Sequence, residues 1–120
     1  IVRLFEESEL KRLYERTLEL GMVPLVEVHD ERDLERANRI RSGVIGINNR
    51  NLADFGVSLE NSLILRPKVW AGAFSVSESG IKSQSDVRVL REAGFHAVLV
   101  GEGVVTKSDR INALRELVTA

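Results

Sequence analysis

The feature that most restricts the fold of this chain is an alternation of short apolar runs with amphipathic stretches. Four runs have the β-branched, largely apolar composition of buried strands: 24–29 (PLVEVH), 44–48 (VIGIN), 73–78 (AFSVSE) and 96–101 (HAVLVG). Each is followed by residues whose apolar members recur at helical spacing. Short strands that alternate with helices pair in parallel, so the sequence predicts an α/β protein.

Helix limits follow from capping and stop signals. Amphipathic helices are predicted from Ser8 to Gly21 and in SLENSLILR before Pro67. Polar pairs are predicted to cap three others: Asp30 with Asp33, Ser83 with Asp86, and Thr106 with Asp109. The opening residues, IVRLF, have the composition of the end of a strand.

Two parallel architectures share this pattern. An open doubly wound sheet of flavodoxin type and a (β/α) barrel both alternate strands with helices, and the periodicity is the same for each. In both, functional side chains gather at the carboxyl ends of the strands. The sequence therefore predicts a site at the carboxyl ends of the strands, whichever of the two folds is formed.

Composition narrows the classes of partner. The chain has 120 residues, 17 Lys and Arg against 18 Asp and Glu, and a net charge of −1. This balance predicts small molecules or protein as partners, with no nucleic acid and no membrane. The absence of cysteine and the presence of two isolated histidines predict no metal site, and a cytoplasmic setting is expected.

Polar side chains stand at the strand ends, where the apolar runs would otherwise continue. The side chains expected to share one rim are Glu27, Asn48, Arg50, Glu78 and Ser79. Together they offer carboxylates, an amide and a guanidinium, which is the composition of a site for a polar, anionic substrate.

Glycine-bearing turns follow the last two strands. The turns SGI and GEG, with Gly80, Gly101 and Gly103, are predicted to present backbone N–H groups to a phosphate.

Each of these features also has a structural explanation. Glu27 is equally interpreted as a buried carboxylate paired with a cation, and Asn48 with Asn49 as turn residues. Ser79 and Gly80 would then form a plain turn, and His29 would be a residue that merely ends its strand. The coincidence of several polar strand ends on one rim favours a functional site.

The stretches LVEVHDERDLERA, VIGINNRNLADF and SVSESGIKSQSDVRVLREAGFHAVLVGEG, with the final ALREL, resemble the C-terminal half of indole-3-glycerol-phosphate synthase. That family is a (β/α)₈ barrel of tryptophan biosynthesis. The resemblance implies that residues 1–120 form one half-barrel domain whose strands are the fifth to eighth of the barrel. IVR would then be the tail of the fourth strand.

The resemblance also implies an activity. Members of the family close the ring of carboxyphenylamino-deoxyribulose phosphate, a sugar-phosphate substrate, with loss of CO₂ and water and without a cofactor. The implied roles in this chain are catalytic for Glu27 (the general base), Asn48 and Glu78, substrate-binding for Arg50 and Ser79, and phosphate-binding for Gly80, Gly101 and Gly103. Gly103 departs from the family, where many members carry serine.

A half-barrel needs a partner, because its inner face and outer strand edges are uncovered. The expected partner is the N-terminal half-barrel, which carries the family's catalytic lysines, or a second copy of this chain. The chain alone is expected to be inactive. The alternatives are a non-catalytic phosphate-binding or scaffold half-barrel module and a receiver-type signalling domain, for which the acidic pocket and the lysine are missing.

Overall fold

The computed structural model describes residues 1–120, which form a four-stranded sheet and six α-helices. The strands are β1 (Leu25–Val28), β2 (Val44–Asn48), β3 (Phe74–Glu78) and β4 (Ala97–Leu99). The helices are α1 (Glu7–Glu19), α2 (Glu31–Arg39), α3 (Glu60–Leu65), α4 (Gln84–Glu92), α5 (Glu102–Val105) and α6 (Arg110–Val118). None of the helices is both long and apolar enough to cross a membrane.

The order of the strands distinguishes the two predicted architectures. All neighbours are parallel, and the order in the sheet is β1-β2-β3-β4, so each strand lies beside the next one in the chain. A doubly wound sheet would reverse its strand order at a switch point, and this sheet does not. The α/β prediction and the barrel-type half with four parallel strands are confirmed.

Only one face of the sheet is covered by helices. Val28, Ile45 and Ile47 point to that face and are fully buried in the main apolar core. On the opposite face, Leu25 is 44% exposed and Phe74 is 46% exposed. Successive residues of a strand point to opposite faces, so the alternation of buried and exposed positions follows from the pleat.

Most of the predicted caps are present. The Asp30 side chain accepts a hydrogen bond from the Asp33 N–H, and Ser83 and Asp86 form a reciprocal capping box at α4. Asp109 caps α6, but Thr106 does not, so that part of the prediction is wrong. Thr106 instead ends the short helix α5, and its hydroxyl donates to the Glu102 carbonyl at 2.6 Å.

The first residues differ from the predicted strand. Val2–Leu4 form a 3-10 helix, and the Val2 side chain is fully buried. The guanidinium of Arg36 on α2 donates to the carbonyls of Val2 and Phe5. These bonds satisfy carbonyls that a strand would offer to a neighbouring strand, so the segment packs on β1 without pairing with it.

Candidate functional site

Parallel pairing brings the polar strand ends to one edge of the sheet. Asn48 lies opposite Glu78, and Glu78 lies opposite Leu99. Glu27 lies opposite Gly46, the residue of β2 that precedes Asn48 on the same face of the sheet. These positions share the face that no helix covers, so their side chains surround a common mouth.

A hydrogen-bonded series joins the first two strand ends. The Asn48 amide nitrogen donates to Glu27 Oε1 at 3.0 Å, and the Arg50 backbone N–H donates to Asn48 Oδ1 at 2.9 Å. Since its carbonyl oxygen receives a donor, Asn48 must present its NH₂ group to the carboxylate. Glu27, with 22% of its side chain exposed, is therefore oriented by its neighbour while remaining open to the mouth.

Glu78 is the most deeply buried carboxyl of the mouth, with 3% of the residue exposed. Its Oε1 atom has no hydrogen-bond partner and lies over Gly46, where a Cβ atom would overlap it. Burial, and next the charge of Glu27, raises the pKa of Glu78 to about 7. The pair of carboxyl groups can therefore carry one proton between them near neutral pH.

This raised pKa predicts how stability depends on pH. From pH 4.5 to about 7, folded Glu78 retains a proton that the unfolded chain has lost, so the free energy of unfolding falls as the pH rises. Glu78→Gln should remove this fall, which amounts to at most about 3 kcal/mol. The measurement is the urea midpoint of both proteins from pH 4.5 to 8.

Exposed Glu92→Gln on α4 is the matched control and should keep the wild-type slope. His29 contributes a slope of opposite sign, because its pKa is lowered, and it is present in all three proteins. Parallel curves for the wild type and Glu78→Gln would show that Glu78 ionises normally.

The turns after β3 and β4 line a second part of the mouth. Ser79, Gly80, Gly101 and Gly103 border a cavity of about 470 Å³, together with Lys82. Ser79 and Gly80 both have positive φ, 67° and 80°. A Cβ atom on Gly80 would lie 2.5 Å from Val57 Cγ1, so glycine is required there both by the backbone and by the space.

The two later glycines differ from each other. A Cβ atom on Gly103 would overlap the Ile81 carbonyl oxygen, whereas one on Gly101 would meet nothing within 4 Å. Gly103 thus allows the close approach of two turns, and serine at this position would require a shift of the backbone. Gly101 has no steric requirement of this kind.

Arg50 reaches across the mouth from the loop after β2. Its Nη2 atom forms an ion pair with Glu102 Oε2 on α5 at 3.2 Å. Any anion that bound Arg50 would have to compete with this carboxylate, whose side chain is 71% exposed.

A buried polar network lies behind the mouth, on the helix side of the sheet. The Asn49 amide donates to Ser77 Oγ and to the Ser79 carbonyl, each at 3.0 Å, and its oxygen accepts the Ser62 N–H at 3.0 Å. The Ser62 and Ser77 hydroxyls lie 2.7 Å apart. Asn49 therefore links α3 to the turn after β3 and is a structural residue of the site.

Sequence reasoning missed several residues of the mouth. Lys82 and Leu99 line the cavity, and Glu102 pairs with Arg50. For Lys82, the available signal was a cation directly after the SGI turn. Leu99 shares the strand parity of an inward-facing residue, and that alternation was the available signal. The pairing of Glu102 had no local signal, because Arg50 is distant in the chain.

The chain is similar to the members of one known protein family. The family model described as indole-3-glycerol phosphate synthase matches residues 1–117. Proteins named indole-3-glycerol phosphate synthase are similar: the one from Polaromonas sp. is 47% identical over 117 residues, covering 98% of this chain and 44% of the relative. The one from Chlorobium limicola is 45% identical over 104 residues, covering 87% of this chain and 40% of the relative.

A third relative, from Chlorobaculum tepidum, is 43% identical over 109 residues, which is 91% of this chain and 43% of the relative. The chain thus spans 40% to 44% of the length of these curated relatives.

Proposed function

The chain belongs to the indole-3-glycerol phosphate synthase family, and we propose that it supplies the general base and phosphate cradle of that enzyme's active site. The reaction would be ring closure of carboxyphenylamino-deoxyribulose phosphate with loss of CO₂ and water. The observation that carries this proposal is the series of hydrogen bonds from the Arg50 backbone through Asn48 to Glu27, because it orients a carboxylate toward an open mouth.

Glu27 is proposed to remove a proton from the substrate. Asn48 donates to Glu27 Oε1, and 22% of the Glu27 side chain stays exposed toward the mouth, where a substrate can reach it. Glu78 is proposed to act at the same mouth in its protonated form. A carboxyl with a pKa of about 7 can donate a hydrogen bond to a substrate oxygen at neutral pH, which an ionised carboxylate cannot do.

Arg50 and Ser79 are proposed to bind the substrate, and Gly80, Gly101 and Gly103 its phosphate. Arg50 supports this assignment because its guanidinium extends into the mouth and its present partner is an exposed carboxylate. The three glycines support it because they border one cavity with the Lys82 side chain, a further cation for a phosphate.

We propose that the uncovered sheet face is closed by an N-terminal half-barrel. The face exposes Leu25, Phe74 and Leu99, and β1 and β4 are each paired on one side only. Relatives more than twice as long match this chain over 40% to 44% of their length, which favours an N-terminal half over a second copy of the chain. The catalytic lysines implied by the family resemblance would come from that half.

Reassembly tests the proposed function. The chain is mixed with the complementary N-terminal part of the Polaromonas relative, and formation of indole glycerol phosphate is measured. Turnover is expected from the mixture and not from either part alone. Turnover by this chain alone at enzyme-like rates would refute the need for a second half.

Light scattering of the chain alone tests the identity of the partner. A stable homodimer that does not exchange with the N-terminal part would indicate that the partner is a second copy of this chain and not an N-terminal half-barrel. Phosphate binding without turnover in any mixture would favour a non-catalytic phosphate-binding module.

The phosphate cradle makes a separate prediction. Gly80→Val should weaken binding of inorganic phosphate about tenfold or more, because the side chain would block the approach to the backbone N–H groups. Binding is measured by titrating ¹⁵N-labelled chain with phosphate. Gly21→Val is the matched control, since Gly21 also has positive φ (74°) but has open space around its Cβ position and lies outside the mouth.

Both variants introduce a β-branched residue at positive φ, so both should lose stability. Only Gly80→Val should lose phosphate affinity. Equal affinities of the two variants for phosphate would show that Gly80 is not part of the phosphate cradle.

A further inference from the structure

Gly46 leaves a gap in the face of the sheet that no helix covers. It is the central residue of β2, and the register places Glu27 of β1 on one side of it and Val76 of β3 on the other. Because strand residues alternate between the two faces, Gly46 shares the face of Asn48 and lies closer to the amino ends of the strands. Since glycine has no Cβ atom, the sheet has a recess at this position.

The Glu78 carboxyl fills this recess. A Cβ atom on Gly46 would overlap Glu78 Oε1 and would lie 2.8 Å from Glu78 Cδ. The backbone of Glu78 pairs with Asn48, so its side chain crosses from β3 to β2 and extends toward the amino ends of the strands. The carboxyl therefore comes to the level of Glu27, which is the residue of β1 opposite Gly46.

The recess explains how Glu78 is buried although no helix covers its face. On the same face, Leu25 is 44% exposed and Phe74 is 46% exposed, yet only 3% of Glu78 is exposed. A glutamate side chain that extended into the mouth would be open to water as these two residues are. Over Gly46, in contrast, Glu78 Oε1 is shut off from solvent and has no hydrogen-bond partner. Such an oxygen is costly to ionise, so the recess favours the protonated acid.

Charged groups on several elements face Glu78. Burial raises its pKa most, the charge of Glu27 raises it next, and the amino group of Ile1 lowers it. The other charged groups that line its cavity are Arg50, Lys82 and Glu102. Beyond Glu27 lies the buried His29 ring, whose Nε2 is 3.2 Å from Glu27 Oε1 and whose two nitrogens have no hydrogen-bond partner. The two causes that raise the pKa of Glu78, burial and the nearby charge of Glu27, both follow from its position in the recess.

We propose that Gly46 is a positioning residue of the active site, whose recess holds the Glu78 carboxyl beside Glu27 and away from water. The inference rests on the proposed function, in which Glu27 removes a proton and protonated Glu78 donates a hydrogen bond to the substrate. Gly46 acts through Glu78 and not on the substrate itself. A side chain at position 46 would push the carboxyl into the open mouth, where water would solvate it and it would ionise like an ordinary glutamate. The pair would then consist of two carboxylates, without an acid.

Gly46→Ala is a suitable test because the fold can accommodate the added methyl group. The atoms nearest to it belong to the flexible ends of side chains, the Glu78 carboxyl and Leu25 Cδ1, the latter at 3.2 Å. Both can move into the open face without a shift of the backbone. Gly43→Ala is the matched control: Gly43 directly precedes β2, and a Cβ atom there would meet only the Tyr14 hydroxyl, at 3.9 Å.

The first measurement follows the carboxyl ¹³C signal of Glu78 by NMR in the chain as it is, without substrate. The pKa of Glu78 should fall in Gly46→Ala from about 7 toward 4.5, and it should stay at about 7 in Gly43→Ala. Glu27→Gln should lower this pKa in the wild type, since the charge of Glu27 raises it, and should have little further effect in Gly46→Ala. If Glu78 titrates in Gly46→Ala as it does in the wild type, the inference is overturned.

The second measurement uses the reassembled barrel. Gly46→Ala should lower kcat at neutral pH about tenfold with KM nearly unchanged, because an acid is lost while the groups that bind the substrate remain. The alkaline limb of the kcat profile should also move to lower pH, since Glu78 then loses its proton at lower pH. A general loss of packing would lower the activity without moving this limb.

Glu78→Ala separates a positioning role of Gly46 from a structural one. In that background there is no carboxyl to hold, so Gly46→Ala should cause no further loss of kcat. An equal loss in both backgrounds, or a wild-type kcat and alkaline limb in Gly46→Ala, would overturn the role in the reaction. If the wild-type barrel does not turn over, the proposed function has failed, and the carboxyl titration alone then decides whether Gly46 positions Glu78.

Discussion

Glu27→Gln is expected to lower the turnover of the reassembled barrel by about 10²- to 10⁴-fold, the usual contribution of a positioned general base. Glutamine has nearly the same shape, and its carbonyl oxygen still accepts the Asn48 amide. It has no proton affinity in the useful range. Since binding geometry is retained and proton removal is lost, kcat should fall while KM changes little.

The measurement is the steady-state rate of indole glycerol phosphate formation, with Glu15→Gln as the control. Glu15 lies on the exposed face of α1 and forms only a long ion pair with Lys11, 3.9 Å. Its substitution should leave the rate unchanged. A Glu27→Gln barrel that retains half or more of the wild-type kcat would show that Glu27 is a structural carboxylate, the alternative that its place in an apolar strand also allows.

The same substitution separates function from stability. Glu27 is partly exposed and makes one hydrogen bond, to Asn48, so neutralising it should change the free energy of unfolding by less than about 1 kcal/mol. It also removes one cause of the raised pKa of Glu78. The Glu27→Gln protein should therefore lose part of the dependence of stability on pH that Glu78 produces.

The sequence was sufficient to predict the strands and the rim because both follow from local patterns. VIGIN is a strand over the predicted residues, Val44–Asn48, and the predicted rim residues lie at the carboxyl ends of neighbouring strands. The choice between an open sheet and a barrel was not predictable from periodicity. It depends on strand order, which is set by packing between elements that are distant in the chain.

The wrong cap assignment of Thr106 has a local physical cause. Helix α5 has four residues, too few to show an amphipathic period, and Thr106 was therefore assigned to the next helix. His29 does follow the end of its strand, as predicted, but its buried surroundings come from elsewhere in the chain: Asp33 on α2 accepts its backbone N–H, and Arg3 in turn donates to Asp33. No pattern around His29 could show that its ring nitrogens would be unpartnered.

The neighbouring residues Asn48 and Asn49 show most clearly which features the sequence cannot predict. Asn48 and Asn49 have the same side chain, and both have the composition of turn residues, yet they point to opposite faces of the sheet. Asn48 faces the mouth, whereas Asn49 is 3% exposed and bonds to α3, to β3 and to the turn after β3. Strand parity predicts the opposite faces, but the partners of Asn49 on α3 and β3 are set by tertiary packing.

Asn49→Ala is expected to lower the free energy of unfolding by about 2–4 kcal/mol, because it leaves several buried polar groups without a partner. The Ser62 N–H loses its acceptor, and the Ser79 carbonyl loses its donor. Urea unfolding measures the change. Asn51→Ala is the matched control: its side chain accepts only the exposed Ala53 N–H, which water can satisfy, so the loss should stay within about 0.5 kcal/mol.

Asn49→Asp separates the role of the amide oxygen, which accepts a hydrogen bond, from that of the amide NH₂ group, which donates two. The carboxylate still accepts the Ser62 N–H but cannot donate to Ser77 or to the Ser79 carbonyl, so the turn after β3 loses its support. Because Ser79 has positive φ (67°), its backbone depends on such support, and phosphate binding at Gly80 should weaken as well. Equal stability of Asn49→Ala and Asn51→Ala would mean that water replaces the buried amide and that the network does not set the geometry of the cradle.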